Sequence, residues 1–193
     1  MNKMFNQLLS IIKSKRFKRK LAKLNDNFFN LKQEIQIRNL LVELFNRDFK
    51  GEERAIAEYR VPNKDIRIDL ALVNKNKKEN PFKIELKYHF PKDKGGFSKY
   101  QESIQKHFKD RESNGFILIV CNSKTEERES FEKMWLSKET IFSELSLDKN
   151  DYKWKENLKS KFEETSNAQA HFFEITVEKP FETTYHFFIL ERK

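Results

Sequence analysis

Two short stretches hold acids and bases at a spacing that could do chemistry. One is I-R-I-D-L over residues 66–70, the other K-I-E-L-K over residues 83–87. In a β-strand successive side chains alternate between faces. Ile66, Ile68, Leu70 and Leu72 therefore share one face, and Arg67, Asp69 and Ala71 the other. In the second stretch Ile84, Leu86 and Tyr88 share a face, and Glu85, Lys87 and His89 lie opposite. The segment between them, N-K-N-K-K-E-N-P, has the composition of a turn. The two strands are expected to pair as an antiparallel hairpin. With Val73 near residue 81 or 82, Asp69 falls across from residue 85 or 86. Both apolar faces point the same way only when Asp69 and Glu85 share the other face. Directly opposed residues lie about 4.5–5.5 Å apart at Cβ.

Two carboxylates at that distance repel by about 4 kcal/mol near a surface if unscreened. A hard divalent cation would compensate, because such ions take carboxylate oxygens. Lys87 adds a positive charge on the same face. A metal ion, a water and an adjacent ammonium are the groups that phosphodiester hydrolysis requires. A third acid, Glu34, precedes Ile37 by three residues and Leu41 by seven, which sets it on the apolar side of a helix. There it either pairs with Arg38, four residues on, or faces the rim of the sheet and joins the two acids.

The elements that must position these groups follow from periodicity. Residues 3–24 read as a basic amphipathic helix with Phe5, Leu8, Leu9, Ile12, Phe17, Leu21 and Leu24 on one side. Three readings stay open for it: a helix packed on the body, an arm that reaches nucleic-acid backbone, or a membrane-surface helix. A second helix is expected from Asp26 or Asn27, as caps, to about Phe45, with Ile37, Leu40, Leu41 and Leu44 as its stripe. Strands are expected near 53–60, 65–73 and 82–90, then a helix over 97–109 and a buried strand from Gly115 through F-I-L-I-V-C. Charged helices follow over 125–165, anchored by Phe131, Trp135, Leu136, Trp154, Leu158 and Phe162. Two closing strands are joined by K-P-F-E-T. This order predicts an α/β domain built on a mixed central sheet flanked by helices. A basic N-terminal helix over 1–25 precedes the main domain at 26–193.

E-I-Q-I-R-N-L-L from Glu34 on a helix, I-D-L around Asp69 in a strand and I-E-L-K at Glu85 and Lys87 in the next strand resemble the PD-(D/E)XK nuclease superfamily. The resemblance implies a restriction-endonuclease-like α-β-β-β-α-β core over about 28–122, with a helical insertion before the C-terminal strands. It implies Mg²⁺ or Mn²⁺ held by Asp69 and Glu85 with help from Glu34, and Lys87 as the catalytic lysine. It also implies a glutamine on the helix after the motif, for which Gln105 fits and Gln101 is the fallback. The activity it implies is a metal-dependent endodeoxyribonuclease. The proline that precedes the family's first aspartate is replaced by Ile68. A bare D/E-x-K pattern also occurs at Asp48, Asp151 and Glu191, so only its combination with the upstream strand and helix acids is informative.

Composition narrows the alternatives. The chain has 193 residues and a net charge of +9, and 19 of its 26 aromatic residues are Phe, enough to fill a core. Residues 1–32 carry +8 of that charge and the remaining 161 only +1, so the main body is not broadly basic. The single Cys121 excludes an internal disulfide and a cysteine zinc site. No apolar run approaches the length of a membrane span, and the N-terminus is not a secretory signal, which makes a cytoplasmic protein the expectation. His107, His171 and His186 show no ligand spacing, Lys83 and His89 read as surface bystanders, and four glycines leave no room for a phosphate-binding loop. The expected partner is nucleic acid, taken as DNA. Double-strand cleavage would call for a homodimer through the C-terminal strands or the 125–165 helices. The competing reading is a nucleic-acid-binding or assembly protein without catalysis that uses the basic arm.

Overall fold

A computed structural model of the chain describes residues 2–29, 31–76, 80–89, 97–123 and 154–193. The expected anchors Phe131, Trp135 and Leu136 lie outside these residues. The elements are α1 (Lys3–Ile12), α2 (Lys15–Phe28), α3 (Glu34–Asp48), β1 (Glu53–Arg60), β2 (Arg67–Asn74), β3 (Phe82–His89), α4 (Phe97–Asp110), β4 (Gly115–Ser123), α5 (Trp154–Ser166), β5 (Ala168–Val177) and β6 (Thr183–Arg192). The fold is α/β: six strands form one mixed sheet in the order β1-β2-β3-β4-β6-β5, flanked by the five described helices. All neighbouring strands are antiparallel except β3 and β4, which are parallel and joined through α4.

The sheet divides the core in two. On one face α1, α2 and α3 pack Phe5, Leu8, Ile12, Phe17, Leu21, Ile37 and Leu41 against Leu70, Leu72, Ile84, Leu86, Ile117, Ile119 and Phe187. On the other, Tyr100, Ile104 and Phe108 of α4 and Leu158 and Phe162 of α5 pack against Phe116, Leu118, Val120 and Phe188. The unbroken apolar run of β4 is explained by this arrangement, since alternate residues feed the two clusters. Cys121 is buried, in keeping with its place in that run.

The N-terminal segment departs from the expected single helix. Ser14 is extended (φ −75°, ψ 145°), and its hydroxyl accepts a hydrogen bond from the Phe17 amide, so it caps a second helix and breaks the first. That helix then runs through Asp26 and Asn27, the expected caps of the next one, because the chain here serves packing. Asn25 is buried, its amide donates to the Lys179 carbonyl at 2.7 Å, and its carbonyl oxygen accepts from the Tyr185 hydroxyl at 2.7 Å. Helix α3 starts only at Glu34. Phe5, Leu8, Ile12, Phe17 and Leu21 are fully buried in the cluster that also contains the sheet, so residues 3–24 share the core of the main body.

Candidate functional site

The β2–β3 register is Leu70↔Ile84, Ala71↔Lys83 and Leu72↔Phe82, and its continuation sets Asp69 across from Glu85. The ladder stops at Leu70 and Ile84. Beyond that point carboxylates take over as acceptors for β3. The Leu86 amide donates to Asp69 Oδ2 at 2.8 Å, and the Tyr88 amide donates to Glu34 Oε2 at 2.7 Å. Glu34, at the first turn of α3, thus faces the rim of the sheet. The alternative partner Arg38 is engaged elsewhere, with Glu58 and Asn39. Glu58 lies across β1 from Asp69, between the pairs Ala57↔Leu70 and Tyr59↔Ile68, in a left-handed conformation (φ 50°). Its pairing with Arg38 gives that carboxylate a counter-ion away from the two strand acids.

Asp69 is half-buried and Glu85 fully buried. Glu85 Oε1 accepts from Arg111 at 3.2 Å and lies 3.6 Å from His107 Nδ1, too long for a hydrogen bond. Glu85 Oε2 is buried with no hydrogen-bond donor among the described residues. Burial pushes the Asp69 carboxyl up, from an ordinary 3.8 to about 7, and the Glu85 charge pushes the same way, while the Leu86 amide and Lys87 oppose the rise. Burial also works to raise Glu85, but His107, Asp69 and Arg111 together hold it below the usual carboxylate value. At neutral pH Asp69 is therefore only partly ionised while Glu85 is ionised, so the pair holds a fraction of a proton, centred on Asp69. Lys87 follows Glu85 on the same face, half-buried, and makes no ion pair among the described residues.

The remaining predicted residues divide. Gln105 is exposed on α4, and Gln101 is half-buried. The face that α4 turns to the sheet carries Tyr100, Ile104, His107 and Phe108 instead. His89 is not a surface histidine, for it is 1% exposed and its ring nitrogen bonds the Tyr100 hydroxyl. Lys83 is also buried and not solvated, with its ammonium donating to the Arg111 carbonyl at 3.2 Å and pairing with Glu112 at 3.4 Å. Sequence reasoning missed His107 and Arg111. His107 follows Ile104 by three residues on the apolar side of α4, a signal that was available. Arg111 lies just past the end of that helix, where periodicity gives no direction; its guanidinium also donates to the Arg67 carbonyl at 3.2 Å, tying β2 to Glu85.

Among the described residues no group of three or more His, Cys, Asp or Glu is arranged to hold a metal ion. The pair itself fits a cation that keeps most of its waters and needs only one or two carboxylates, as Mg²⁺ does. Glu85 Oε2 lacks a donor among the described residues and Asp69 resists ionisation, and both are relieved by a positive charge between them. No protein-family model matches the chain, and no curated protein or solved structure matches it at a significant level.

Proposed function

We propose that this protein is a Mg²⁺- or Mn²⁺-dependent nuclease of the PD-(D/E)XK kind that hydrolyses phosphodiester bonds in DNA. The observation that carries the reading is the juxtaposition of Asp69 with a buried Glu85 oxygen that has no donor among the described residues, beside Lys87, whose charge acts on Asp69. The element order α3-β1-β2-β3-α4-β4, with β3 and β4 parallel, supports it, since this is the order the motif resemblance calls for.

Asp69 and Glu85 would hold the ion. When bound it supplies positive charge for a phosphate oxygen and acidity for a water. Lys87 holds the attacking water in line through its ammonium, which the sheet keeps near the two acids at no cost in reorganisation. Glu34 is a positioning residue, since it fixes the Tyr88 amide and with it the end of the strand that carries Lys87. Arg111 and His107 hold Glu85 ionised, so that it is ready to take a cation.

The test is nicking of supercoiled plasmid by purified protein with Mg²⁺ or Mn²⁺. Cleavage is expected to vanish in EDTA and to fall at least about 100-fold in Asp69→Ala and Lys87→Ala. Equal cleavage by the wild type and both variants would contradict the proposal.

A further inference from the structure

The second feature with chemistry in it lies on α2, away from the carboxyl pair. The helix carries six cations between Lys15 and Lys23, and they divide by face. Arg16 pairs with Asp48 at 2.7 Å and Lys20 with Glu43 at 2.5 Å, so both bind α2 to α3. Lys15, Lys18, Arg19 and Lys23 are exposed and make no ion pair among the described residues. All four line a groove of about 530 Å³ between α2 and β5. A second groove of about 540 Å³ continues it past Lys13, whose ammonium sits 4.3 Å from the centre of the Phe173 ring. Lys15 and Lys18 belong to both. From Lys15 to Lys23 the helix axis advances about 12 Å, and Lys179 extends the charge along the far wall.

We infer that this basic groove binds the phosphodiester backbone of nucleic acid along the β5 edge of the sheet. Three observations favour that occupant. The cations form a row, which matches a linear polyanion whose charges recur every few ångströms. β5 is the last strand in the order of the described sheet, and Thr176 and Val177 at its end line the groove, so a long polymer can follow the border of the sheet. The apolar side of α2 is already used, because Phe17 and Leu21 are fully buried in the core, and a helix without a free apolar face has nothing to insert into a bilayer. Asp26 and Glu178 also line the groove and reduce its charge without reversing it. Glu174 at the second groove pairs with Lys155 and is hydrogen-bonded to the His186 ring.

The groove lies on the face of the sheet that α1, α2 and α3 cover, at the strand farthest from β1, whereas the acid pair lies between β2 and β3. Binding there does not depend on the nuclease reading, and the experiment is set in EDTA so that the two fail separately. Fluorescence anisotropy with a short labelled DNA duplex is read against salt for three full-length proteins. These are the wild type, the quadruple variant Lys15→Gln, Lys18→Gln, Arg19→Gln, Lys23→Gln, and a charge-matched control, Lys50→Gln, Lys75→Gln, Lys109→Gln, Lys193→Gln. The groove variant is expected to bind at least about tenfold more weakly and to lose about three to four from the slope of log K against log salt, at about 0.9 per contact. The control is expected to change by less than about twofold, and Asp69→Ala to bind like the wild type. In the wild type, duplex is expected to shield Lys15, Lys18 and Lys23 from acetylation, a readout that does not depend on how any variant folds. Wild-type affinity in the groove variant overturns the inference, as does an equal loss in the control. Unchanged binding together with new self-association would make the lysines guards of the β5 edge against strand pairing, and would overturn it too.

Discussion

At Asp69 a carboxyl with an ordinary value of 3.8 sits at about 7, chiefly because it is buried, and the consequence is a stability that depends on pH. The folded chain keeps this proton through a range in which the unfolded chain has released it. The unfolded state then binds fewer protons, so stability falls as pH rises from about 4 to about 7 and is level above that. The full shift is worth up to about 4 kcal/mol, less the solvent screening of a half-buried group. Glu85, held below its ordinary value, acts in the opposite sense: its contribution is present at neutral pH and is lost on acidification through the folded value. Asp69→Asn keeps the shape, cannot ionise, and offers an amide hydrogen to Glu85 Oε2. In urea unfolding the variant is expected to exceed the wild type by about 1–3 kcal/mol at pH 8 and to lose the decline between pH 5 and pH 8. The same decline in both proteins would place the titrating group elsewhere. At this scale strand alternation was enough to bring Asp69 and Glu85 together on paper. It could not show that Arg111 and His107 reach Glu85, because they arrive from the end of a helix whose packing angle no local pattern specifies.

Among the elements, α1 and α2 show most clearly how packing resolves what periodicity leaves open. The basic amphipathic stripe was legible, but it served a core helix, an arm and a membrane helix equally well. What decides is where the apolar side goes, and Phe17 lies fully buried 5.8 Å from the Phe187 ring of β6. Phe17→Ala is therefore expected to cost roughly 3–5 kcal/mol in denaturant unfolding. A loss below about 0.5 kcal/mol, the size of a surface change, would return α2 to the status of a detached arm. The break at Ser14 was legible in principle as a serine followed three residues later by the apolar Phe17, but a basic run on both sides masks it. The strands were better placed than the helix ends. β2 and β3 fall within two residues of expectation because alternation is a short-range signal, whereas the α2 terminus depends on Asn25 meeting Lys179 and Tyr185 more than 150 residues away in sequence.

Over the whole molecule the charge asymmetry of the sequence becomes a division of space. Most of the excess positive charge belongs to the helical layer on one face of the sheet, and the acid pair is reached from the side of α4, whose His107 and trailing Arg111 touch Glu85. The mixed sheet and its α-β-β-β-α-β portion were readable from the order of periodic segments, because each short connection leaves few places for the next strand. The strand order at the far edge was not, since β6 enters between β4 and β5 and only long-range pairing decides that. No helix of the described residues is long and apolar enough to cross a membrane. On this frame the central claim is that Asp69 and Glu85 form a seat for a divalent cation. Calorimetric titration of Mn²⁺ into metal-free protein at pH 7, in two buffers that differ in ionisation heat, tests it most directly. A single site is expected, with part of a proton released from Asp69 as the ion enters, and with affinity lowered at least about tenfold in Asp69→Asn. No heat of binding, or equal affinity and no proton release in either protein, would contradict it.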